Sequence, residues 1–156
     1  SKITLNRSLA HSIMVMHNFT MTFELNERLA AGGFDFGNQG ICRVLLKDNA
    51  VFPWCILVPE VDEQITELHQ LDAADYGSIM SSVCQLSQFV DSYFKPDKVN
   101  VAAIGNIVKQ LHIHVVARYE ADPAWPGVIW GCPEKMAYEK DQLDNIRDAY
   151  QQHVFS

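Results

Sequence analysis

The chain is short of positive charge: 12 lysines and arginines stand against 19 aspartates and glutamates, for a formal charge of −7. An acidic surface repels phosphate backbones and anionic headgroups, which argues against a nucleic acid polymer or a membrane as partner. A small anion is a different case, since a local pocket of backbone amides and a few cations suffices to hold one. No apolar stretch approaches the ~20 residues that a membrane-spanning helix requires. Cysteine is scarce as well. Cys42, Cys55, Cys84 and Cys132 form no CxxC pair, and their gaps fit neither a zinc ribbon nor a small disulfide framework. Free thiols in a reducing compartment are expected, and with them a cytoplasmic location. Internal repeats, low-complexity tracts and interdomain linkers are missing too, and 156 residues suit one domain with its own core.

The first residues, SKITLNRSLAHSIMVMHNFTM, carry an apolar patch at Ile13 to Met16 that His17 and Asn18 end at once. The patch is too short to cross a bilayer and lacks the apolar region and cleavage site of a secretory signal. Met14, Met16 and Met21 could each serve as a start. Residues 1–21 are therefore expected to be an N-terminal arm or an expression remnant, and His11 and His17 are set aside with them. Residues 22–156 are expected to form a single domain.

Within that domain, FELNERLAA (Phe23 to Ala31) reads as a short helix stopped by Gly32-Gly33. ICRVLLK (Ile41 to Lys47) and WCILVPE (Trp54 to Glu60) read as strands, and the short DNAVFP connection predicts an antiparallel hairpin. From Asp72 onward, Ile79, Val83, Leu86, Val90 and Phe94 recur at spacings that place them on one face of a long helix, ended by Lys95-Pro96. KVNVAAIG (Lys98 to Gly105) and VKQLHIHVVARY (Val108 to Tyr119) read as two more strands. A final helix near Tyr138 to His153 puts Leu143, Ile146 and Tyr150 on one side. Hairpins separated by a helix predict an α+β domain with a mainly antiparallel sheet of about five strands, a long helix and a C-terminal helix.

The chemistry is concentrated in QLHIHVV. Strand alternation sends Gln110, His112 and His114 to one sheet face and Leu111, Ile113 and Val115 to the other. Same-face positions lie ~7 Å apart along a strand, so both imidazoles can reach one phosphate-sized group. Three readings compete. A His-x-His pair on a half-exposed strand needs no function at all. It can also offer two ligands to zinc, iron or copper, with Glu120, His69 or His153 as further donors. A cupin would supply such a set, but Gly105 and Glu120 each stand one residue too far from the pair, and the long helix sits badly in a barrel. In the third reading a neutral imidazole, abundant near pH 7 because the unperturbed pKa is ~6.5, attacks phosphorus and later departs.

GNIVKQLHIHVVAR, Gly105 to Arg118, resembles the signature of the histidine triad (HIT) superfamily of nucleotide hydrolases and transferases. That signature is a glycine followed by three histidines alternating with apolar residues. Gln110 takes the first histidine position, His112 the second and His114 the third. The resemblance implies that His112 attacks the α-phosphate and that His114 contacts the phosphate and the leaving-group oxygen. It implies a supporting, hydrogen-bonding role for Gln110, since an amide can donate and accept. RVLLKDNAVFPWCILVPE resembles the family's first long hairpin, in which Asp48 or Asn49 would meet the ribose hydroxyls. Cys55 stands where the family often has another histidine. Asn100, Gly105 and Asn106 resemble residues around the phosphate, and DPAWPGVIWG resembles bacterial members whose motif begins with glutamine.

The implied activity is hydrolysis or transfer at a nucleoside phosphoanhydride or phosphoramidate through a nucleotidyl-histidine. The implied substrates are nucleotides, diadenosine polyphosphates among them. No cofactor is implied beyond magnesium carried on the substrate, and a homodimer with sheets joined edge to edge is implied. The rival readings are a nucleotide-binding protein with little turnover and, behind it, an HxH metal-binding protein. Other residues have plainer expectations: turn residues for Asp48 and Asn49, an edge pairing for Asn100, packing for Trp125 and Trp130. Lys47, Lys109 and Arg118 are expected to be solvated strand charges.

Overall fold

The computed structural model describes residues 23–156; the N-terminal arm proposed for residues 1–21 lies outside them. A five-residue helix α1 (Glu27–Ala31) precedes strands β1 (Gly33–Gln39), β2 (Cys42–Lys47) and β3 (Trp54–Pro59). A 3-10 turn (Leu68–Gln70) leads to the long helix α2 (Ala73–Phe94). Strands β4 (Lys98–Ala102) and β5 (Ile113–Arg118) and the C-terminal helix α3 (Lys140–Phe155) complete the domain. The five strands form one antiparallel sheet in the order β1-β2-β3-β5-β4. The α+β architecture, the two hairpins, the long helix and the C-terminal helix are as the sequence predicts.

Strand β1 departs from the sequence reading, which ran from the first helix straight to β2. Its residues, GFDFGNQ, include Gly, Asp and Asn, which strands disfavour. It forms because it pairs with β2 at the sheet edge, across a register shift between Asp35 and Asn38. Gly33 permits the approach: a Cβ there would lie 2.3 Å from the carbonyl oxygen of Leu46. The strand predicted from Val108 is also shorter at its start, since regular pairing begins only at Ile113.

Helices α2 and α3 cover one sheet face. Ile79, Val83, Leu86, Phe89 and Val90 of α2 pack with Ile146 and Tyr150 of α3 against Val44, Leu46, Cys55, Leu57, Ile113 and Val115. Asp72 caps α2 by accepting from the main-chain N–H of Asp75, and Lys95 closes it in the left-handed conformation at φ 49°. The opposite face carries a second cluster of Leu29, Leu45, Phe52, Trp54, Ile56, Val58, Val116 and Ile129. This second face is the one that presents the histidines.

Candidate active site

Pairing fixes which side chains meet. Ile56 stands opposite His114 and Trp54 opposite Val116, so β3 and β5 deliver Trp54, Ile56, His114 and Val116 to the same face. His112 lies in the irregular segment before β5, and its ring meets that of His114 at a centroid distance of 4.8 Å with the planes 72° apart. Each histidine is only 5% exposed. The expected apolar face of Ile113 and Val115 is turned to the helices.

The two imidazoles are held in different ways. His112 Nδ1 is 2.6 Å from the carbonyl oxygen of Gln110. A carbonyl only accepts, so Nδ1 carries the proton and Nε2 keeps its lone pair. His114 Nδ1 instead accepts the indole N–H of Trp54 at 2.8 Å. An indole only donates, so the proton of His114 resides on Nε2, which faces the carbonyl oxygen of Ile104 at 3.4 Å. Burial, the neighbouring His112 and Lys47 pull the pKa of His114 down from 6.5 to about 4, against the opposing pull of the Ile104 carbonyl. A lone-pair nitrogen and an N–H donor thus lie side by side.

A cavity of about 390 Å³ opens beside them. Leu29, Leu45, Ile56, Ile107, Val108 and Trp130 supply its apolar wall, and Lys47, Arg28, Asn106 and both histidines its polar groups. Among the described residues no carboxylate lines it, although the protein is acidic overall. Lys47 Nζ lies 3.8 Å from the centre of the Trp54 ring, and burial with nearby Lys135 lowers its pKa. The half-buried Lys47 is therefore a cavity residue and not the solvated strand charge expected. Trp130 packs edge-on to His114 at 5.1 Å, so this tryptophan belongs to the site wall.

Other expected residues are placed differently. Gln110 precedes the strand, and its amide is committed elsewhere: Oε1 accepts from Asn26 N at 2.9 Å and Nε2 donates to Glu24 O at 2.8 Å. It latches the segment entering α1, whose Arg28 and Leu29 line the cavity. Asp48 and Asn49 do not line the cavity. Asp48 accepts from Tyr138 N at 2.9 Å, and buried Asn49 accepts from Val51 N and Met136 N. Alternation explains Asp48, because Leu45 and Lys47 face the site while the next residue turns away, and Asn49 lies past the end of β2 with its side chain held by Val51 N and Met136 N. Cys55 likewise faces the helices, where burial pushes its thiol up to about 12. Its neighbour Trp54 holds the seat beside His114. Gly105 and Asn106 form the turn next to His112, and a Cβ at Gly105 would lie 2.9 Å from Val108 O.

Asn100 accepts from Arg118 at 2.9 Å and does not line the cavity. Arg118 itself corrects the expectation of a solvated charge. It is 2% exposed, pairs with Asp122 through two hydrogen bonds of 2.8 and 3.1 Å, and donates to Gly127 O at 2.8 Å. This network ties β5 to the loop that carries Trp130. Lys109 is exposed, as expected. Among the described residues no three His, Cys, Asp or Glu side chains converge where they could hold a metal ion. None of the described helices is long and apolar enough to cross a membrane.

Comparison with known proteins gives this geometry a family. The HIT domain model matches residues 34–121. A histidine triad protein from Marinobacter aquaeolei is 38% identical, with a TM-score of 0.80 over 85% of this chain and 96% of the other. One from Bradyrhizobium japonicum is 32% identical, with a TM-score of 0.81 over 85% of this chain and 98% of the other. One from Sinorhizobium meliloti is also 32% identical, with a TM-score of 0.81 over 86% and 100%. No curated protein matches the chain. With the family model spanning more than half of the chain and these relatives superposing over most of both chains, the chain belongs to the histidine triad family.

Proposed function

We propose that the protein is a nucleotide hydrolase or transferase that acts at the α-phosphate through a nucleotidyl-His112 intermediate. Family membership supports nucleotide binding or hydrolysis in general. The observation that carries the finer reading is the hydrogen bond from His112 Nδ1 to Gln110 O, which leaves the opposite nitrogen free to attack. Nε2 forms a bond to phosphorus as the bond to the leaving group breaks. The ring then carries a positive charge, which the Gln110 carbonyl stabilises through the same hydrogen bond. The N–H of His114, held only by the long 3.4 Å contact to Ile104 O, can turn to the phosphoryl group as a donor, and Asn106 and the turn at Gly105 would border that group. Water attacks the adduct next, the P–N bond breaks, and its electron pair returns to His112 while the water's proton passes to solvent.

The apolar cavity wall suits a nucleobase, and a lining that among the described residues has Lys47 and Arg28 and no carboxylate suits the phosphates. Asn100 supports this region by holding Arg118 and not by touching the cavity. Residues 22–156 act as one domain in this reading. It includes a cytoplasmic homodimer joined at sheet edges, needs no resident cofactor, and lets magnesium enter on the polyphosphate. The edge strand β4, where Val101 is 47% exposed, is open to such pairing. Incubating the protein with labelled diadenosine triphosphate and looking for a nucleotide adduct by intact mass tests the proposal. An adduct lost in His112→Ala is expected. Tight nucleotide binding with neither adduct nor product would identify a binding protein instead.

A further inference from the structure

We propose that Trp54 is a positioning residue that locks His114 as a neutral hydrogen-bond donor, and that this lock suits the site to phosphoanhydrides over phosphoramidates. The inference rests on His112 as the nucleophile and narrows the substrate class of that same site.

The lock is built from three observations. Trp54 Nε1 donates to His114 Nδ1 at 2.8 Å in a buried contact, and the indole ring also packs edge-on to Trp130 with centroids 5.6 Å apart. The indole therefore cannot turn aside without losing packing on both sides. Lys47 Nζ sits over the same ring at 3.8 Å, which polarises the indole and strengthens its N–H as a donor. Protonating His114 at Nδ1 would set two donors against each other in a dry contact. It would also add a cation beside His112 and Lys47, in a cavity that Arg28 lines as well and to which no described residue brings a carboxylate. Burial, His112 and Lys47 all lower its pKa, against the opposing effect of the Ile104 carbonyl.

The chemical consequence follows from proton balance. When a phosphoanhydride is cleaved, the bridging oxygen leaves with the electron pair as a phosphate, which is stable near neutral pH without an added proton. When a phosphoramidate is cleaved, the pair goes to an amine nitrogen, which must gain a proton to leave. A neutral imidazole can steady a developing oxyanion with its N–H, yet it does not surrender that proton near neutral pH. His114 held in this state therefore stabilises the leaving phosphate but is no acid for an amine.

The test has one arm that needs no turnover. Two-bond proton–nitrogen correlation spectra of 15N-labelled protein report the tautomer and charge of each imidazole. The His114 signals are assigned by their loss in His114→Gln. The expected pattern is Nε2–H, unchanged from pH 5 to 8 in the wild type, with mixed tautomers and titration in that range in Trp54→Phe. A wild-type His114 that carries its proton on Nδ1, or titrates between pH 5 and 8, overturns the lock. In the second arm, diadenosine triphosphate should turn over at least about 100-fold faster than adenosine 5′-phosphoramidate at pH 8. That ratio should shrink in Trp54→Phe as phosphoramidate cleavage rises toward pH 5. Equal, pH-independent rates in the wild type overturn the substrate assignment. If His114 shows the expected pattern but neither compound gives His112-dependent product, the catalytic reading fails and the lock stands.

Discussion

The Nδ1 atom of His112 and the main-chain carbonyl oxygen of Gln110 are 2.6 Å apart, so a residue two positions upstream sets the tautomer of the proposed nucleophile. Because the acceptor belongs to the backbone, no side-chain change at Gln110 deletes it. His112→Ala is expected to abolish the covalent adduct and lower turnover by at least about a thousandfold, while nucleotide binding stays within about tenfold. Single-turnover kinetics beside equilibrium dialysis measure the two separately. Adduct formation that persists in His112→Ala would move the nucleophile elsewhere.

Gln110→Ala separates the latch from the chemistry. The variant loses two hydrogen bonds, to Glu24 O and Asn26 N, and should be destabilised by about 1–2 kcal/mol. Loosening the entry to α1 moves a wall of the cavity, so KM should rise several-fold with kcat changed less than about threefold. Denaturant titration and steady-state kinetics read the two effects. A kcat loss of a hundredfold with KM unchanged would return the glutamine side chain to the reaction.

These two residues also show where the sequence was legible. Alternation and the glycine-anchored motif correctly put His112 and His114 on one face, because a two-residue period is a local property. Gln110 belongs to the same pattern, but strand pairing starts only at Ile113, and its partners are 84 and 86 positions away. Trp54 was readable in principle, since alternation in WCILV places it with Ile56 on the site face. Which of Trp54 and Cys55 meets the histidines depended on the β3–β5 register, which lies outside either segment. The same one-position question separated Lys47 from Asp48. Strand β1 escaped because its glycines and polar residues carry no strand signal, and only pairing with β2 makes it extended.

A strand-end arginine is usually a surface charge, yet Arg118 anchors a buried network. Arg118→Met removes the partner of Asp122, whose carboxyl is raised by burial but held below 3.8 overall by Arg118 and by the N–H groups of Tyr119 and Ala124. Leaving that charge unpaired should cost about 3–5 kcal/mol. The double variant Arg118→Met/Asp122→Leu should recover part of the loss. Thermal melts of the three proteins form the cycle; equal melting temperatures for wild type and Arg118→Met would show that the network contributes little.

Stability should depend on acid in a defined window. The pKa of His114 is 6.5 as a free group and about 4 in the fold. Between those values the unfolded chain binds the proton and the native state does not. Stability is therefore full above pH 6.5, falls as pH drops, and levels near pH 4, for a total of roughly 3 kcal/mol from this residue. Asp122 acts at lower pH, because its folded value is depressed below 3.8 and its contribution is lost as acid titrates it. Urea unfolding at half-unit steps should show a slope between pH 6.5 and 4 that is flattened in His114→Gln. A slope unchanged by that substitution would assign the acid sensitivity to other groups.

Lys47 is the last residue whose role can be separated by measurement. Among the described residues it has no carboxylate partner, and it lines the cavity that holds both histidines. A half-buried ammonium beside a phosphate site makes a charge-assisted contact of about 1.5–3 kcal/mol, and solvent at the cavity mouth screens it toward the lower figure. Lys47→Met keeps the apolar stem against Trp54 while removing the charge. KM for diadenosine triphosphate should then rise about tenfold, with weaker dependence on salt, and kcat should stay within about threefold. Lys47→Glu should raise KM further, because it sets a carboxylate against the polyphosphate. Salt-dependent KM values that are identical in the wild type and Lys47→Met would place the phosphates elsewhere and leave Lys47 only the task of polarising Trp54.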